Sequence, residues 1–322
     1  MAVSFTHTPL ASLGELIGNL TMPELTLGVD FSDLCARAVV VNDGGQVLSR
    51  EQLPPAPVNI ADAIRDTARK AIAGAGGKVS ALSVALPQAG DPVPVEIAAA
   101  LSAAAPGARA ATAIAAGTAA AIAEHWCGAA RGFQQVITCA IGSHVTAGVL
   151  VNGAPWLGAR GLAGSIGWLA LNPVEREDYR RFGGLEAEVA AAGIVRRLVW
   201  RIKSGDRSSV ADSVGGDLTR ITADDVFQGA RVGDGVCISV VRDTAKYVGM
   251  AVANLATMLD PEIIVLGGTL ASSGDMMLDA IRVECSRRLR PAQAEHMRIV
   301  LSTLGADAVA IGAARSAARP SA

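Results

Sequence analysis

Residues 134–156 read QQVITCAIGSHVTAGVLVNGAPW. An almost unbroken apolar run, VITCAI, leads into the short stretch Gly142-Ser143-His144, and a second run then ends at Asn152-Gly153. Near-continuous apolar residues suit a strand covered on both faces, and Asn-Gly is a strong hairpin signal. The reading is strand, turn, strand, turn. The same order occurs earlier: LGVDFSDLCARAVVVNDGG (27–45) is a strand, a loop and a second strand closed by the turn at 42–45, and QVLSREQLP continues as a third strand. Two such units, each followed by helices, predict a duplicated α/β architecture.

Outward from these units, a helix is predicted over about 58–75, ending at GAGG. VSALSVALP reads as a buried strand, PVEIAAALSAAAP as a helix and ARAATAI as a strand. The chain is mostly helical from 186 to 260. DPEIIVLGG is a strand, ASSGDMMLDAIRVECSRRL a helix, RIVLSTL a last strand and AVAIGAARSAA a closing helix. Residues 1–24 are irregular, with helical character around 12–20.

The 322 residues are 51% hydrophobic but only 3% aromatic, so the core is built from small aliphatic side chains. A net charge of −2 gives no sign of a surface dominated by phosphate contacts. No apolar run is long enough to span a bilayer, and residues 1–25 lack a basic start followed by an apolar stretch. A cytoplasmic protein is expected. Cys35, Cys127, Cys139, Cys237 and Cys285 are scattered, without a Cys-x-x-Cys pair, so they read as reduced thiols rather than a disulfide or zinc framework. Of the dispersed histidines, His144 alone sits in a loop of interest.

TAIAAGTAAAIAEHW (112–126) poses a sharper question. A strand meets a small-residue turn at Ala116-Gly117, and a helix then runs to Trp126. Such strand-to-helix turns are where α/β proteins place functional side chains. This one offers only methyl groups and a glycine.

Four stretches carry a resemblance that explains it: GVLVNGAPWLGARGLAGSIGW (148–168), FGGLEAEVAAAGI (182–194), PEIIVLGGTLASSG (261–274) and STLGADAVAIGAA (302–314). In this order and over this length, from about 25 to 318, the chain resembles the ROK family of repressors and sugar kinases. The resemblance implies an α/β, actin-like (ribonuclease H-like) duplicated fold of two domains with a cleft between them. The expected division is an irregular extension at 1–24, a smaller domain at 25–125 with 307–322, and a larger domain at 126–306 carrying the oligomer contact.

The departures from the family pattern shape the functional expectation. The first phosphate loop, D-x-G-G-T in the family, is Asp30-Phe31-Ser32-Asp33-Leu34 here. Asp30 is kept, both glycines are lost and a carboxylate is added, which repels phosphate unless a metal intervenes. The second loop, G-T-G-I-G-A-G, is Gly142-Ser143-His144-Val145-Thr146-Ala147-Gly148. A β-branched Thr146 tolerates positive φ poorly, so a reshaped cradle is expected. Aligned on AAAIAE, the family's catalytic Asp falls on Ala116 and its sugar-holding Asn on Ala115. The Glu and His of G-E-I-G-H fall on Ser165 and Trp168, and the Cys ligands that follow are absent from NPVEREDYRRFGG, so no zinc site is expected.

Of the family's sugar-contacting side chains Glu186 is kept, either as a hydroxyl ligand or as a helix-start carboxylate stabilised by the dipole. Trp126, Trp156 and Trp168 could each stack on a sugar ring; Trp168 is the best placed, and as a plug of the emptied pocket it has the stronger case. Ligand-binding candidates are therefore Glu186, Trp168, Ser165 and Asp30, with Gly267 and Gly268 on the adenosine side. Asp33, His144 and Glu124 are the available substitute bases, each read as structural or solvent-facing. The arginines around 176–181 and 196–201 read as solvated helix faces.

The expected function is a catalytically degenerate sensor or regulator of sugars or metabolites, without cofactor and with ATP–magnesium binding disfavoured. The alternatives are a sugar kinase with a rearranged site and an interaction module with an emptied cleft. A homo-oligomer is expected from the resemblance. The family's repressors carry an N-terminal winged helix-turn-helix, for which residues 1–24 are too short, so DNA binding is expected only with a further N-terminal domain.

Overall fold

The computed structural model describes residues 24–31, 37–53, 59–87 and 92–318. The helical character expected at 12–20 and the loop residues Ser32 and Asp33 lie outside them.

The described residues form two five-stranded sheets of the same topology. The first contains β1 (Leu25–Asp30), β2 (Arg37–Val41), β3 (Val47–Gln52), β4 (Val79–Leu86) and β5 (Arg109–Ala115), in the order β3-β2-β1-β4-β5. The second contains β6 (Val136–Ile141), β7 (Val145–Val151), β8 (Ala154–Pro155), β9 (Ile263–Gly268) and β10 (Arg298–Leu301), in the order β10-β9-β6-β7-β8. In each, three antiparallel strands are extended by two parallel ones. This is the duplicated α/β fold that the two strand-turn-strand units predict.

Helices α1 (Ile60–Ala75), α2 (Val95–Ala104) and α3 (Ala116–Cys127) belong to the first half of the chain. Asn59 caps α1 by accepting from the N–H groups of Ala61 and Asp62, and Gly76 ends it in the left-handed conformation at φ 67°. The middle of the chain is helical, as expected: α4 (Glu177–Phe182), α5 (Gly184–Val189), α6 (Ala191–Lys203), α7 (Ser209–Ser213), α8 (Ala223–Arg231) and α9 (Gly235–Leu259). Then come α10 (Thr269–Ser272), α11 (Leu278–Ser286), α12 (Pro291–His296) and α13 (Ala308–Ala318). The single helix expected from Ala271 to Leu289 is broken by a 3₁₀ turn at Gly274–Met276. Gly274 sits against the Leu301 side chain, where an added Cβ would lie 2.4 Å from a methyl carbon.

Alternation along the strands assigns the layers. In β2, Val40 faces a cluster with Ile64 and Ala68 of α1 and Leu101 of α2. Its neighbours Val39 and Val41 face Ala123 of α3 and Ile311 of α13. In the second sheet, Ile137, Cys139 and Ile141 join the large core under α5, α6, α8 and α9. Val136 and Val265 turn the other way, onto Ala121 of α3. Helices α3 and α13 are thus a middle layer between the two sheets. They are alanine-rich because they meet backbone to backbone: a Cβ added to Gly312 would lie 1.7 Å from the Ala119 carbonyl oxygen.

Candidate functional site

The end of β5 runs directly into α3, with Ala115 as an N-cap that offers no side-chain hydrogen bond. The turn expected at Ala116-Gly117 is therefore not a turn. Gly117 lies in the first helical turn, where an added Cβ would fall 2.2 Å from the carbonyl oxygen of Ala147. The glycine lets α3 press on β7. Ala116, the position of the family base, is 3% exposed and lines the cleft between the sheets.

That cleft holds a cavity of about 570 Å³. Its walls are Asp30 from the end of β1, Gly142, Ser143, His144 and Thr146 from the β6–β7 hairpin, Gly267 and Gly268 from the end of β9, and Ala116, Ala120 and Glu124 along one face of α3. Asp30 is 8% exposed. A much smaller recess of about 30 Å³ adjoins it, lined by Ala115, Gly117, His144, Ser165, Trp168 and Glu186. Most candidates named from sequence within the described residues converge on one region, Ser165, Trp168 and Glu186 on the small recess and Asp30, Gly142, Ser143, Glu124, Gly267 and Gly268 on the main cavity, with His144 and Thr146 shared; Trp126 and Trp156 line neither.

The hairpin turn between β6 and β7 is tight. Gly142 N–H donates to His144 O at 2.9 Å, and Thr146 is already within β7, paired with Ala140. Positive φ among the described non-glycine residues occurs only at Asn152 and Asp260, so His144 and Thr146 carry ordinary backbone. Glu186 fixes this turn from the side: its carboxylate accepts from Val145 N–H at 2.8 Å and stands 3.3 Å from His144 Nδ1. The N–H groups of Gly142 and Val145 are thus spent on internal acceptors. Glu186 also lies in the first turn of α5. Its hold on the opposite hairpin was not foreseen from sequence.

Two expectations are corrected here. Trp168 does not plug the site: it is 55% exposed, on the rim of the small recess. Its backbone lies in a 3₁₀ turn, Ile166–Trp168. Glu124, read as structural or solvent-facing, is structural. It is fully buried; its side chain accepts from the Ser302 hydroxyl and from Ala129 N–H at 2.8 Å, and its carbonyl takes Gly128 and Ala130 N–H. The arginines at 196–201 are not simply solvated. The Arg197 side chain is 15% exposed and stands 3.8 Å from the buried Glu188 carboxylate, which Arg176 and Tyr179 also approach. Burial, followed by the Glu188 contact, pushes the Tyr179 hydroxyl above its ordinary range.

Ser165 is exposed and donates to Leu162 O at 2.8 Å. Arg37 and Thr138 are among the polar residues of the cavity not singled out from the sequence. Arg37 reaches it from β2 and is held by Asp307 at 2.7 Å. Thr138 lines it from β6, 1% exposed, and its hydroxyl has no hydrogen-bond partner. Its position as a lone hydroxyl within VITCAI was the available signal. Among the described residues no group of three or more His, Cys, Asp or Glu is arranged to hold a metal ion, and no helix is long and apolar enough to cross a membrane.

The model of the ROK family matches residues 111–319. The glucokinase of Halalkalibacterium halodurans is 34% identical over 198 residues, 60% of this chain and 59% of that protein. The DNA-binding transcriptional dual regulator NagC of Escherichia coli K12 is 28% identical over 185 residues, 57% of this chain and 44% of the regulator. The matched regions thus span about half of these relatives. A ROK family glucokinase from Streptomyces griseus, solved with glucose and AMPPNP, shares the fold at a TM-score of 0.76 and 24% identity, covering 92% of this chain and 100% of that one. A ROK family transcriptional regulator, a homolog of the E. coli MLC protein, does so at 0.75 and 18%, covering 94% and 82%.

Proposed function

We propose that this chain, which belongs to the ROK family, binds a sugar or related metabolite in the cleft between its sheets and transfers no phosphoryl group, acting as a sensor of the transcriptional-regulator type. The observation that carries this reading is Ala116. Where the family resemblance puts the base, the start of α3 presents a buried methyl group to the cavity. Losing a general base lowers rate by roughly 10²–10⁴. The hairpin adds to this, because two of its N–H groups already serve His144 O and Glu186. Each missing preorganised donor of that kind lowers rate by on the order of 10² or more.

The reading needs no zinc and no ATP–magnesium. It includes a homo-oligomer built through the larger lobe, and contact with DNA only through an additional N-terminal domain. A sugar kinase with a rearranged site is the second reading, favoured by Asp30 at the end of β1 and by the 34% identity to a glucokinase. An interaction module whose emptied cleft binds nothing is disfavoured by the cavity of about 570 Å³, a size typical of ligand sites, which no side chain fills.

The test is a thermal-shift panel of hexoses, amino sugars and their phosphates, each with and without Mg-ATP. A ligand at a hundredfold excess over its Kd stabilises by about 2.7 kcal/mol, which is readily seen. A sugar shift that is indifferent to Mg-ATP supports the sensor. Synergy between sugar and Mg-ATP, with ADP release, replaces it with the kinase.

A further inference from the structure

We infer that the groove between α6 and α9 receives a second copy of this chain about a two-fold axis, with Trp200 covered in the contact and Asp243 facing the partner subunit's Lys246. The inference rests on the homo-oligomer in the reading above and specifies its face and its register.

The face is built by two helices. Val240, Asp243, Lys246, Tyr247 and Met250 recur at helical spacing along α9, and Arg197, Trp200 and Arg201 do so along α6. Together they line a groove of about 620 Å³. Trp200 is 69% exposed. A single exposed apolar side chain is ordinary, but a tryptophan on a groove that also offers Leu171, Val240, Tyr247 and Met250 has the form of an interface anchor. Tryptophan is among the residue types that most often dominate binding energy.

The charges indicate what docks there. Most of them are matched within the chain. Glu188, 2% exposed, accepts from Arg176 at 3.3 Å and from the Tyr179 hydroxyl, and stands 3.8 Å from Arg197. Arg196 is paired with Asp178, and Arg201 with Asp206 at 2.6 Å. Asp243 and Lys246 differ: both are exposed, and among the described residues neither has an ion pair or a side-chain hydrogen bond. Asp243 acts on Arg197 only at a distance.

One acid and one base, three residues apart on the same helix face, are complementary to themselves. A two-fold axis passing between them sets the second α9 antiparallel to the first, so both pairs form at once. A uniformly acidic or basic partner would satisfy one of these charges and repel the other. Exposed ion pairs contribute little affinity, so the charges set the register while Trp200 supplies most of the binding energy.

The experiment is sedimentation equilibrium of the full chain through the micromolar range, without sugar. The expected species is a dimer. Trp200→Ala should weaken it about a hundredfold. Asp243→Lys and Lys246→Asp should each weaken their homodimer about tenfold, because each sets like charges opposite one another. Mixed in equal amounts, those two variants should form a heterodimer as tight as the parent dimer, because both pairs are restored. The three side chains are exposed, and circular dichroism checks that each variant is folded. A dimer indifferent to Trp200→Ala, or a mixture no tighter than either charge variant alone, overturns the inference and leaves the ligand-cleft reading standing. A parent that stays monomeric throughout overturns it together with the homo-oligomer, and again leaves the cleft untouched.

Discussion

Glu124 offers the most direct test of how the cleft is held. It is fully buried, and three successive N–H groups converge on it: Gly128 and Ala130 on its carbonyl at 3.1 and 3.0 Å, and Ala129 on its carboxylate at 2.8 Å. The Ser302 hydroxyl, just beyond β10, binds the other carboxylate oxygen. One side chain therefore ties the end of α3 to the edge of the second sheet. Glu124→Ala strands the Ala129 N–H and the Ser302 hydroxyl, about 1–3 kcal/mol each. Loss of the Cγ methylene adds about 0.8 kcal/mol. Relief of the carboxylate's desolvation acts in the opposite direction, and Ala129 and Ser302 are half-buried, which lets water reach them. The net expectation is a loss of about 3 kcal/mol. Glu124→Gln keeps the methylenes and one acceptor and should lose about 1 kcal/mol. Urea denaturation followed by circular dichroism reads both as shifts of the midpoint at unchanged slope. An alanine variant within about 0.5 kcal/mol of the parent would refute the assignment of this carboxylate as the tie.

Gly117→Ala should destabilise by about 3 kcal/mol, the upper end of overpacking, because its Cβ would meet the Ala147 carbonyl at 2.2 Å; a neutral thermal melt would contradict the contact of α3 with β7. Trp168→Ala should change stability by less than about 1 kcal/mol, since the indole is 55% exposed; a loss of about 3 kcal/mol on chemical denaturation would restore it as a packed plug. Burial alone would raise the Asp234 carboxyl, but hydrogen bonds from Cys237 N–H and from Ser208 and Ser209 outweigh it and hold it at about 2. Its stabilisation is thus present above the ordinary carboxylate range near pH 4 and is lost as pH falls toward 2. Asp234→Asn should flatten that part of an acid-unfolding curve, and a curve of unchanged steepness would count against it. Ala116→Asp should remain without turnover in an ADP-coupled assay with glucose, because the hairpin N–H groups stay occupied; activity from that one change would show that the loops are competent.

The strands were legible because their signals are local. NDGG at 42–45 and Asn152-Gly153 supply turns, and runs such as VITCAI are apolar on both faces because both faces are covered. The four glycine-bearing stretches led to the fold, and the cleft residues Asp30, Gly142 and Gly268 followed from them. What escaped the sequence is mostly a matter of which way side chains turn. Helix α3 is buried on nearly every side from Ala116 to Glu124, so it lacks the polar stripe that would place Glu124. No capping residue marks its start, and the strand therefore seemed to end in a turn. Arg197 was misread because a long side chain can reach inward from a helix that looks charged. Trp168 followed a rule that is right on average: a large aromatic next to a pocket tends to fill it. Here it stands at the rim, 55% exposed.

The middle layer also bears on synthesis. Helix α13 lies on β1 so closely that a Cβ on Gly28 would fall 1.9 Å from the Ala310 carbonyl oxygen, and Arg109 reaches Ala317 O at 3.0 Å. The first sheet is encoded before residue 116, yet the helix that covers one of its faces spans 308–318. A nascent chain therefore has only α3 over Val39, Val41 and Ala85 until α13 is made. Such long-separated contacts close slowly and leave apolar strand faces open to other chains in the meantime. The first sheet of this protein is thus completed by a helix encoded far later in the chain.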